Sequence, residues 1–106
     1  MRIPKKVKIG VFNLDVKFVE MLDNGDTGGY VNMYTNILQI ASKVKTDDDK
    51  KPVVVQQPVK EMEFLHELLH GIDFVYNAGN LSENTVNRLA NGLYQVIIDN
   101  PDIFKK

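Results

Sequence analysis

The sequence predicts an α+β domain in which an N-terminal antiparallel β-sheet is followed by two packed C-terminal helices. Three observations lead there. Apolar residues alternate with polar ones up to about Ala41, the period of strands with one covered face. From Pro58 to about Asn77 they recur instead with helical spacing, and that spacing returns from near Ser82 to about Asp99, just before Pro101. At 106 residues with 43% hydrophobic content, the chain makes one domain over 1–106 with a modest core. Residues 1–57 supply mainly strands and loops, and 58–106 the two-helix half.

Val7, Ile9 and Val11 alternate with Lys6, Lys8 and Gly10, and Leu14, Val16 and Phe18 alternate with Asp15 and Lys17. The short stretch around Asn13 suits the hairpin turn between them. Asp23 to Gly29 is a cluster of turn residues without the spacing or terminal glutamate of a calcium loop, so it reads as a solvated turn. Tyr30 to Tyr34 and Asn36 to Ala41 are two further strands. Lys45 to Lys51, with Asp47, Asp48 and Asp49, lacks apolar anchors and reads as a charged surface excursion. Val53 to Val55 is a short extended lead into the first helix. There Pro58 suits the first helical position, Glu61 and Glu63 lie near the positive end, and Gly79 suits the stop. Met62, Phe64, Leu65, Leu68, Leu69, Ile72, Val75 and Tyr76 form the broad apolar face of this helix. Val86, Leu89, Ala90, Leu93, Val96 and Ile97 form that of the second, expected against the first helix and the sheet.

Net charge is −1 with acids and bases interspersed, which argues against a nucleic-acid surface; Lys5, Lys6 and Lys8 read as a solvated strand face. Cysteine is absent, so neither a disulfide framework nor a thiolate metal site can form. No run approaches membrane-spanning length, and the N-terminus lacks the apolar core of a signal peptide. A cytoplasmic setting is the expectation.

The chain's two histidines, His66 and His70, frame Glu67 in His66-Glu67-Leu68-Leu69-His70, the His-Glu-x-x-His pattern of zinc peptidases. On a helix, residues four apart rise about 6 Å and turn only about 40° from each other, so both rings reach one ion. His66, His70, Asp73 and Asn77 make a narrow polar stripe along the border of the apolar face. Two neutral imidazoles hold zinc without cancelling its charge, and the ion acidifies water while polarising a carbonyl. Glu67, not a ligand, is placed to take the proton and pass it to the leaving amine. The bland account of the same residues is a pair of surface histidines with a solvated glutamate.

A third protein ligand must come from elsewhere. Asp73 lies about 10 Å along the axis from His66, which suits a hydrogen-bonding neighbour or a solvated acid better than a ligand. With no cysteine and no third histidine, a carboxylate on the second helix or in a loop is left, and Glu83 is the one acid in that helix before Asp99. If the first helix runs to Asn77 and the hairpin is tight, the histidines face Asn87 or Asn91 instead; an early helix end near Ile72 or an oblique crossing removes the conflict. Glu83 also has an ordinary explanation, as a first-turn acid following the Ser82 N-cap.

Leu65-His66-Glu67-Leu68-Leu69-His70-Gly71-Ile72-Asp73, followed by Leu81-Ser82-Glu83 and on through Tyr94, resembles the small zinc metallopeptidases encoded by tailed phages and prophages, and more distantly the ImmA/IrrE group and other gluzincin-like zincins. The resemblance covers roughly residues 58 to 101. It implies that Glu83 is the third zinc ligand and that Asn87, where an aspartate is often found, supports a ligand histidine. It also implies a peptide or protein substrate bound extended along an edge strand, for which Asn36 to Ala41 is the candidate. Tyr34, Tyr94, an asparagine or Arg88 is left to stabilise a developing oxyanion. Three function classes follow: a zinc peptidase, a catalytically silent zinc-stapled structural or adaptor protein, and a metal-free interaction domain.

Overall fold

The computed structural model describes residues 1–46 and 51–105, so the acidic run 47–49 lies outside the described residues. Strands β1 (Lys6–Ile9), β2 (Phe12–Val19), β3 (Gly29–Asn32) and β4 (Ile37–Ala41) form one sheet in the order β1-β2-β4-β3. β5 (Lys43–Val44) and β6 (Val53–Val54) make a separate antiparallel ribbon, and helices α1 (Gln57–Tyr76) and α2 (Glu83–Asp99) complete the chain. The architecture is α+β. Among the described residues, no helix is long and apolar enough to cross a membrane.

The sheet is mixed rather than antiparallel throughout. β1/β2 and β3/β4 are antiparallel, but β2 and β4 run parallel, with Asp15 opposite Ile37 and Val19 opposite Ala41. A parallel pair requires a crossover, and here the turn around Asp23–Gly25 and β3 itself provide it. Leu38, Ile40 and Ala41 are at most 1% exposed, so β4 gains most from a central position, whereas β3 carries the exposed Tyr30 and takes the edge. The first turn also differs from expectation. Ile9 pairs directly with Phe12, which puts the turn at Gly10–Val11 and Asn13 inside β2. Gly10 adopts φ 59° there, a conformation that costs glycine little, and Val11 is left 84% exposed.

α1 packs on the sheet and α2 packs on α1. The core joins Val16, Leu38 and Ile40 to Phe64, Leu65 and Ala90, the inward positions of a two-residue period in the strands and a 3.6-residue period in the helices. Val86 and Ala90 of α2 are buried while Leu89 and Val96 are not. The Ser82 hydroxyl caps α2 by accepting the Thr85 N–H at 3.1 Å. Glu61, expected to serve the helix end, is instead buried inside α1, where it accepts from the Met1 ammonium and the Tyr94 hydroxyl, both at 3.1 Å. Burial pushes its pKa up, but these donors together with Gln57 outweigh that and hold it below the ordinary carboxylate value.

Candidate metal centre

His66 and His70 project from one side of α1 with Nε2 atoms 3.1 Å apart and ring centroids 4.7 Å apart. The first residue of α2 closes the group: Glu83 Oε1 lies 2.5 Å from His66 Nε2 and Oε2 lies 2.9 Å from His70 Nε2. A tetrahedral zinc with ligands at roughly 2.0–2.1 Å spaces them about 3.3 Å apart. The group therefore needs to open by less than about an ångström to fit that geometry, and the Glu83 side chain, 70% exposed, is free to do so. Two imidazoles and one carboxylate are the donor set of a zinc site that keeps its fourth position for chemistry. The residues fit the ion.

α1 does not end early. It runs to Tyr76, and the connector reconciles that length with the position of Glu83. Asp73, 5% exposed, accepts the Leu81 N–H at 3.2 and 3.3 Å on its two oxygens and the Asn77 amide at 2.9 Å, while its backbone carbonyl accepts the Asn77 and Gly79 N–H groups. The chain is thus folded back, and α2 starts beside Asp73, about one turn past His70. Asp73 contributes no atom to the cluster; it fixes the height at which Glu83 is delivered. Asn87 is exposed and lines the cleft on its Asp26 side. Among the described residues, no hydrogen bond joins it to either imidazole, because α2 turns its first residue rather than its fifth toward the rings.

Glu67 is buried beside the rings, with Oε2 3.9 Å from His66 Nε2. Burial, then hydrogen bonding and charge from Glu63, then the charge of Glu83, push its pKa up to about 9. A dication held by His66, His70 and Glu83 would act in the opposite sense and favour the carboxylate. Glu63 is the residue the sequence reading missed. One turn before Glu67 on the same side of α1, it lies against the Gly28–Gly29 backbone, where a Cβ on Gly29 would come within 2.7 Å of its Oε2. The i, i+4 spacing of the two acids and the paired glycines were the available signals.

The site opens on a cavity of about 530 Å³ walled by β3 and the following Met33 and Tyr34 on one side and by His66, Glu67, His70 and Phe74 on the other. The strand beside α1 is therefore β3, since β4, the expected edge, is covered on both sides by β2 and β3. Tyr34 stands in this wall, edge-on to Phe74 at 5.6 Å. Tyr94 is directed to Glu61 instead, and Arg88 does not line the cleft. No protein-family model, curated protein or solved structure matches the chain.

Proposed function

We propose that the chain is a zinc-dependent peptidase that hydrolyses a peptide bond at the His66, His70 and Glu83 centre. The observation that carries this reading is the convergence of those three side chains beside a buried Glu67, in a cleft bounded by an edge strand. His66 and His70 would bind through Nε2, and Glu83 would supply the one anionic ligand from the other helix. When bound, zinc supplies polarisation of the scissile carbonyl and acidification of water. Glu67 accepts the proton of the attacking water and delivers it to the departing nitrogen as the C–N bond breaks and the C–O bond forms, so the proton count closes. The free edge of β3 offers main-chain donors and acceptors to an extended substrate, and Tyr34, in the cleft wall, is the candidate to donate to the developing oxyanion.

The test is metal content and peptide hydrolysis measured together on the full chain and on Glu67→Gln. One zinc per chain with cleavage, and unchanged zinc with cleavage lost in the variant, is the expected pair. Undiminished cleavage by Glu67→Gln, or none by the zinc-loaded parent over a diverse peptide set, would overturn the reading. The silent, zinc-stapled alternative draws on one specific feature: Glu83 belongs to α2 and the histidines to α1, so an ion there crosslinks the helix pair whether or not turnover occurs.

A further inference from the structure

One side of the metal cleft is lined by the acids Asp26, Glu63, Glu67 and Glu83, and among the described residues its one basic side chain is His66. Glu67, 6% exposed, shares a hydrogen bond with the neighbouring Glu63 carboxyl, and its other close group is His66. Two acids in contact favour a positive group placed against the pair. Behind Glu63 lies a second cavity of about 380 Å³ walled by Ile40, Val44, Val53, Val54 and Val59. Glu63 and Gly28 belong to both spaces, so one carboxylate stands where the metal cleft meets an aliphatic chamber.

On the reading that the chain is a zinc peptidase, we propose that its substrate is a free peptide amino terminus beginning with an aliphatic residue, the α-ammonium meeting Glu63 and the first side chain entering the valine-walled chamber. The reach is right. An amino-terminal nitrogen and the carbonyl carbon of its own residue are separated by about 2.5 Å, and carboxylate oxygens of Glu63 and Glu67 lie within 4.8 Å of each other and of a His66 ring nitrogen. One residue therefore spans from Glu63 to the catalytic groups, and its side chain departs from the atom between them. An interior peptide segment would present a neutral amide to the same carboxylates. The described walls of the chamber are mainly aliphatic, which suits an aliphatic first side chain.

The probes are L-leucine hydroxamate, N-acetyl-L-leucine hydroxamate and glycine hydroxamate, titrated calorimetrically into the zinc-loaded full chain. Leucine hydroxamate is expected to bind at least about tenfold more tightly than either of the others, the acetyl group removing the charged contact and glycine leaving the chamber empty. Equal or tighter binding of the acetylated compound, equality with glycine hydroxamate, or no binding of any of the three overturns the proposal. Glu63→Gln is expected to shrink the ammonium preference to within about threefold while zinc stays at one per chain; should that variant misfold, the comparison on the unaltered protein still decides. Cleavage of peptides blocked at both ends with no amino-terminal preference would sink this inference and leave the peptidase reading intact. Selective hydroxamate binding with no hydrolysis of free or blocked peptides would do the reverse.

Discussion

Glu67 concentrates the site's electrostatics in one side chain. Its pKa is raised from 4.5 to about 9, with burial the largest cause, so between those values the folded state holds a proton that the unfolded chain has released. Stability falls as pH rises through that window. In metal-free protein, Glu67→Gln removes the ionisation and should therefore melt higher than the parent, by more than about 4 °C near pH 8 and by little near pH 5. Equal melting curves across the range would mean that Glu67 is not held protonated. Tyr34 carries the second expectation at this scale. This side chain belongs to the cleft wall, and Tyr34→Phe should lower kcat by about a hundredfold with little change in KM if it donates to the oxyanion. A change confined to KM would assign it to substrate binding instead.

The connector between the helices is the element on which the centre depends. Asp73 holds the Leu81 N–H and the Asn77 amide while buried, so Asp73→Ala leaves those donors without their partner, at a cost of about 1–3 kcal/mol. It also frees the start of α2. Zinc affinity should fall even though no ligand is altered, and Asp73→Asn, which keeps an oxygen for Leu81, should recover most of it. Competition with a chromophoric chelator measures both; wild-type affinity in the alanine variant would refute the role of the connector. The stripe of His66, His70 and Asp73 is evident from helical periodicity. The task of Asp73 is not, since it is defined by a backbone N–H eight residues away, on a segment whose path periodicity does not specify. The edge strand was hidden for a similar reason: the apolar alternation of Ile37 to Ala41 fits any strand with a covered face, and β4 and β3 exchange places only through the parallel pairing with β2.

At the scale of the whole molecule, a domain of 106 residues has limited apolar burial, and a ligand that joins α1 to α2 binds the folded chain far better than the unfolded one. A hundredfold excess of free zinc over its dissociation constant should add about 2.7 kcal/mol to apparent stability. A chelator should lower the melting temperature and added zinc restore it. The ligand imidazoles must be neutral to bind, so the gain should shrink as pH falls through the histidine range. Protein that carries zinc yet melts identically with and without chelator would hold the ion only at its surface.

The sequence by itself determined the class of the fold, the extents of both helices to within a residue or two, and the pairing of two imidazoles with an acid on one side of α1. These are local properties, fixed by residue period, by Pro58 and Ser82 at the helix starts, and by the rise of a helix between His66 and His70. Only the tertiary structure decided that β2 and β4 run parallel, that β3 is the strand along the cleft, that Glu83 rather than Asn87 faces the rings, and that Glu63 joins Glu67 beneath Gly28 and Gly29. Each of these is a relation between segments distant in the chain or across the helix hairpin, set by which surfaces bury best together, and no period within either segment encodes it.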